Sequence, residues 1–227
     1  MSLWIKICGN TSLEDATLAA EAGADALGFI FAPSPRRVTR EQVANIVPNL
    51  PAAVEKIGVF VDATPEEIEA IVSACRLTGV QLHFEASAGL PGQLRQRLGA
   101  DLRILGVVRY PARGSVGEML EFASPFLDNH VDAVLVDSYS LTTRGGTGQV
   151  FDWGLAAVTL FADSRKPKVA AGGLTPENVA EAVHILKPWG VDVVSGVESA
   201  LGRKDPEKVR AFMAQARAAY GGGTGPV

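Results

Sequence analysis

The chain has 227 residues, 47% of them apolar, and a formal net charge of −4 with both signs spread along its length. That length suits one α/β barrel or one doubly wound sheet, and the apolar share can fill a large core. The balance excludes the basic footprint of a nucleic-acid binder, and no apolar run reaches membrane-spanning length. With no charged-then-apolar leader before the first strand, a soluble cytoplasmic protein is expected, with neither nucleic acid nor membrane as partner.

Apolar runs of strand length alternate with amphipathic stretches. In chain order they are "LWIKIC" (3–8), "ALGFIF" (26–31), "KIGVFV" (56–61), "VQLHF" (80–84), "LRILGVV" (102–108), "DAVLVD" (132–137), "KVAAGG" (168–173) and "VDVVSG" (191–196). Several are nearly continuous in Val, Ile and Leu, as strands buried on both faces should be. Between them lie helix starts. Ser12 caps the first, with Asp15 three residues on; "TREQ" (39–42) and "TPEE" (64–67) fit capping boxes. In "TPEN" (175–178) Thr175 is the expected cap and Pro176 the first helical residue. A last helix spans roughly 206–220, and "GGGTGPV" (221–227) reads as a mobile tail.

Eight strand–helix units predict a single-domain (β/α)8 TIM barrel over 1–220, a fold of typically ~250 residues. The rival doubly wound sheet would often bring a Gly-rich first turn, but "CGNTSL" is not GxGxxG and no GxxxxGK[ST] occurs.

In such a barrel the C-terminal ends of the strands form the active face. Strand one ends on Cys8, strand two leads to Arg36 and Arg37, and strand three ends at Asp62. Strand four passes through His83, strand five ends near Arg109, and strand six on Asp137 before the loop 138–151, a candidate lid. Strand seven ends on Gly172-Gly173 and strand eight on Ser195-Gly196. Those last two turns would expose backbone N–H groups where barrels often hold phosphate; as bare turn residues they would mean nothing more. Alone, Cys8 reads as core, and Asp137 as a turn cap. Together they suggest paired proton transfers, because one group can take a proton while the other gives one. Cys75, on the apolar face of "EEIEAIVSACRL", reads as core. No Cys/His spacing suits a metal, and a cytosolic setting makes a disulfide unexpected.

A resemblance rests on "KICGNT" (6–11), "GADALGFIFAPSPRRV" (23–38), "IGVFVD" (57–62), "VQLH" (80–83), "VLVDS" (134–138), "GGTGQVFDW" (145–153), "AGGLTPENV" (171–179) and "VDVVSGVES" (192–199). In order and end to end, these resemble the phosphoribosylanthranilate isomerase family of tryptophan biosynthesis. The resemblance implies a (β/α)8 barrel without cofactor or metal. It implies the Amadori rearrangement of N-(5-phosphoribosyl)anthranilate, a small phosphosugar, to 1-(2-carboxyphenylamino)-1-deoxyribulose 5-phosphate. It also implies Cys8 as general base, Asp137 as general acid, Arg37 on the anthranilate carboxylate, and Gly173, Ser195 and Gly196 at the phosphate. Asp192 and His83 would line the pocket. A monomer or homodimer is expected.

The chain departs from the family where Phe84-Glu85 follow His83 and where Val194 precedes Ser195. Three alternatives stand beside this reading. The sugar isomerase of histidine biosynthesis would use two carboxylates, which Cys8 disfavours. An indole-glycerol-phosphate synthase would need a lysine at a strand end, and Lys6 lies two residues before the mouth. A catalytically silent phosphate-binding barrel, or a partner module, is disfavoured by intact Cys8 and Asp137.

Overall fold

The computed structural model describes residues 2–83, 89–111, 130–139, 151–162 and 165–221. The expected contributions of Phe84 and Glu85, of loop segment 140–150 and of the tail from 222 onward lie outside the described residues.

The eight apolar runs become eight parallel strands: β1 (Trp4–Ile7), β2 (Ala26–Ile30), β3 (Glu55–Phe60), β4 (Gly79–Leu82), β5 (Arg103–Pro111), β6 (Ala133–Tyr139), β7 (Lys168–Ala170) and β8 (Gly190–Val193). They pair in chain order, and β8 returns to β1 with Lys6 opposite Asp192, so the sheet closes. Closure removes every sheet edge. Seven described helices cover the outside: α1 (Leu13–Glu21), α2 (Arg40–Ile46), α3 (Pro65–Cys75), α4 (Leu90–Leu98), α5 (Trp153–Val158), α6 (Val179–Leu186) and α7 (Pro206–Gly221).

Alternation along each strand divides the apolar residues into two sets. Ala26, Ile57, Leu105, Val107, Leu135 and Val169 meet inside the barrel. Ile5, Ile7, Leu27 and Phe29 point outward and share a larger core with Val43, Ile68, Leu94 and Phe212 of the helices. Both strand faces are therefore buried, which explains the near-continuous apolar runs.

Most helix starts follow the local sequence. Ser12 accepts from the Asp15 N–H at 3.1 Å, and the Thr39/Gln42 and Thr64/Glu67 capping boxes form. The start expected at Thr175 comes later, because Asn178 intervenes. The Asn178 side chain accepts from the Thr175 N–H at 2.8 Å and donates to the Gly173 carbonyl at 3.0 Å, so residues 175–178 form a turn and α6 begins at Val179. The seventh run likewise stops at Ala170, short of its expected end. Gly172 and Gly173 take φ of +80° and +66°, which no strand accommodates. After a 3₁₀ turn at Ser195–Val197, an unanticipated antiparallel hairpin follows, β9 (Glu198–Ala200) with β10 (Arg203–Lys204).

The barrel's N-terminal end is plugged. Trp4 stacks on Trp189 with centroids 5.1 Å apart, and the Arg103 guanidinium lies 5.7 Å over the Trp189 ring while bonding Glu55 at 2.6 Å. Among the described residues the opposite end carries a cavity.

Candidate active site

A cavity of about 400 Å³ sits at the C-terminal mouth, lined by Cys8, His83, Asp137, Gly173, Asp192, Ser195 and Gly196, among others. Strand geometry places them. Cys8 follows the last ladder residue of β1 and donates its N–H to the Val193 carbonyl at 2.9 Å. Asp137 lies on β6, two residues beyond inward Leu135, so alternation aims it the same way. Seven of the eight residues expected from sequence thus share one cavity.

Arg37 is the exception. It is exposed and absent from the lining, whereas Arg36 lines the cavity. Arg37 pairs with Ile30 through a lone β-bridge and donates its N–H to the Ser34 carbonyl at 3.0 Å, closing the turn that carries Arg36. Arg36 is held inward by Glu198, which accepts from its Nε and Nη2 at 2.7 Å each. Among the described residues, Arg37 has no ion-pair partner.

Cys8 is only 2% exposed, although its thiol borders the cavity. Gly28 on β2 makes room for it, since a Cβ there would sit 2.9 Å from the Cys8 Cβ and closer still to Sγ. Behind it, Asn10 donates to the carbonyls of Ile7 and Gly28 at 2.8 and 3.2 Å, tying β1 to β2. Beneath it, Lys6 is fully buried with Nζ 2.9 Å from Asp192 Oδ1. Its ammonium is committed there, so it is not the exposed strand-end lysine of a synthase.

The charges set the proton chemistry. Burial pushes the Cys8 thiol above its ordinary value; Lys6 opposes this and Asp192 adds to it. Burial alone would lower Lys6, but Asp192 and Cys8 outweigh it and hold the ammonium above the usual lysine range. For Glu198, burial acts upward, yet the Arg36 hydrogen bonds and Lys204 hold the carboxyl below its ordinary value.

On the β1 side of the mouth, after β7 and β8, lie the two turns. Among the described residues no backbone acceptor takes the Gly173 N–H. The N–H groups of Ser195 and Gly196 open a 3₁₀ turn, which offers them no internal partner. Gly196 fits because a Cβ would overlap the Leu174 carbonyl oxygen. Free amides at this position suit an anion.

Sequence reasoning missed Gly28, Asn10, Glu198 and Lys204. Gly28 carried a signal, since a glycine inside an apolar strand marks a close approach.

The family model described as N-(5'phosphoribosyl)anthranilate (PRA) isomerase matches residues 5–215. An N-(5'-phosphoribosyl)anthranilate isomerase of Citrifermentans bemidjiense is 44% identical over 94% of this chain and 96% of its own. A phosphoribosyl anthranilate isomerase from Thermotoga maritima superposes with a TM-score of 0.83 at 35% identity, over 95% of this chain and 99% of that one. Another, solved with reduced 1-(o-carboxyphenylamino)-1-deoxyribulose 5-phosphate, gives 0.79 at 34% identity over the same shares. Alike in sequence and fold across more than nine-tenths of its length, this chain belongs to the phosphoribosylanthranilate isomerase family.

Proposed function

We infer that Cys8 and Asp137 are the base and acid by which this isomerase converts N-(5'-phosphoribosyl)anthranilate to 1-(2-carboxyphenylamino)-1-deoxyribulose 5-phosphate in tryptophan biosynthesis. The observation that carries the reading is a single cavity lined at once by Cys8, by Asp137 and by the turns at Gly173 and Ser195-Gly196. The turns hold the phosphate and so fix the ribose between the two groups. Asp137 protonates the ring oxygen, the C1′–O bond breaks, and the amine lone pair forms an iminium. That cation acidifies the C2′ hydrogen. Cys8 as thiolate removes it, and the bonding pair moves to C1′=C2′ and neutralises the nitrogen. The enolamine then tautomerises to the ketone. Lys6, buried under the thiol, favours the thiolate against the burial that disfavours it.

Asp192, held by Lys6, and His83 complete the sugar's surroundings. Arg36 lines the cavity and its Nη1 is left over from the Glu198 pair, whereas Arg37 is exposed outside it, so we assign the anthranilate carboxylate to Arg36 in place of the expected Arg37. The enzyme works in the cytoplasm, as a monomer or a homodimer.

The test is turnover of N-(5'-phosphoribosyl)anthranilate by the full chain, with the product identified by mass and by its ketone. Formation of the aminoketose, inhibited by inorganic phosphate in competition with substrate, supports the reading. A folded chain that leaves the substrate unchanged overturns it.

A further inference from the structure

Lys204 stands outside the cavity lining, yet its contacts converge on it. A lysine is rarely buried without partners; this one is 4% exposed. Its ammonium has three donors and finds three acceptors: the Cys8 carbonyl at 2.7 Å, the Val194 carbonyl at 3.1 Å and Glu198 Oε1 at 3.5 Å. Its own N–H is held by Asp15 Oδ1 of α1 at 3.2 Å, so the hairpin that carries it is anchored.

The two carbonyls matter because of where they fall. The β1–β8 ladder ends at Ile7 opposite Val193. One residue further, the chains diverge toward the cavity, and the Cys8 and Val194 carbonyls lose their sheet partners. Buried carbonyls need a donor, and Lys204 supplies it to both. One of these residues carries the thiol, and the other precedes the Ser195-Gly196 turn. Through Glu198 the same ammonium reaches Arg36, on the loop after β2.

We propose that Lys204 is a positioning residue for the reaction, fixing the Cys8 backbone, and so its thiol, against the phosphate turn. This rests on the reading of Cys8 as the base. The charged groups around the thiol are Lys6 on its own strand, Asp192 on β8, Lys204 on the hairpin and Arg36 on the loop after β2. Around Lys204 itself lie Glu198, Arg36 and Asp15, with Arg203 4.0 Å from Asp15.

The experiment compares wild type with Lys204→Met, which keeps length and burial but removes the cation and its donors. A displacement of about one ångström can cost about 100-fold in rate, so kcat should fall by about that factor while KM stays within about threefold. Independently of turnover, the pH dependence of Cys8 alkylation, with the modified site assigned by mass spectrometry, should move to higher pH because a neighbouring cation is gone. Lys204→Gln, which retains two N–H donors but no charge, should regain part of kcat but keep the displaced alkylation profile, and it carries the test should the methionine variant fail to fold. A folded variant with wild-type kcat and an unmoved profile overturns the proposal. Failure of wild type to turn over the substrate overturns the functional reading instead, and the alkylation shift still decides the role of Lys204.

Discussion

At Cys8 two opposing influences meet: burial favours the neutral thiol, and the Lys6 cation beneath it favours the thiolate. Burial wins in the free enzyme, so the thiolate population grows with pH beyond the ordinary thiol value of about 8.5. The prediction is a kcat/KM that rises through the alkaline range on a limb governed by Cys8, and Cys8→Ser removes that limb. Gly28→Ala tests the space around the sulfur. Overpacking there should cost about 1–3 kcal/mol, and displacement of the thiol should lower kcat by about 100-fold, read from denaturant unfolding and steady-state rates on one preparation. Arg36→Ala should raise KM by about tenfold or more, the mark of lost substrate binding; an unchanged KM would pass the carboxylate to Arg37. Cys8 and Asp137 were legible because strand ends in a barrel have a known destination. Lys204 was not, because its acceptor Cys8 lies 196 residues away and only closure of the barrel brings them together.

Among the elements, local signals were read well where the partners are local. The Thr39/Gln42 and Thr64/Glu67 boxes are decided within four residues. The start of α6 was misread because Asn178 competes with Thr175 by bonding back to Gly173, a contact that needs the turn already built. The β9–β10 hairpin was missed for a similar reason: it has only five residues in strand conformation and is held by Asp15, Arg36 and the barrel mouth rather than by its own pattern. Glu198 anchors it. Its carboxyl is held below the ordinary value in the folded state, so its contribution is present above the unfolded value and is lost as pH falls through the folded one. Glu198→Gln should therefore cost about 2 kcal/mol at neutral pH, with the gap to wild type closing as the pH drops below about 4.3. Urea unfolding at a series of pH values checks this; a gap independent of pH would count against it.

For the whole molecule, the barrel was legible because eight doubly buried strands leave a rhythm that no single residue needs to carry. Its two ends divide the labour. The N-terminal end is sealed by Trp4, Trp189 and Arg103, none of which lines the cavity. Trp189→Ala should lower stability by about 2 kcal/mol, less than a fully buried tryptophan loses, while kcat and KM stay close to wild type. The other end brings together what the sequence could only suggest, a thiol and a carboxyl on one cavity with the Gly173 and Ser195-Gly196 turns beside them. The most direct measurement is kcat on N-(5'-phosphoribosyl)anthranilate for Cys8→Ser and Asp137→Asn, each shown to unfold cooperatively. A general acid or base contributes about 10²–10⁴-fold, so each variant should lose about 10³-fold. Turnover by either within about tenfold of wild type, below that range, would contradict the account.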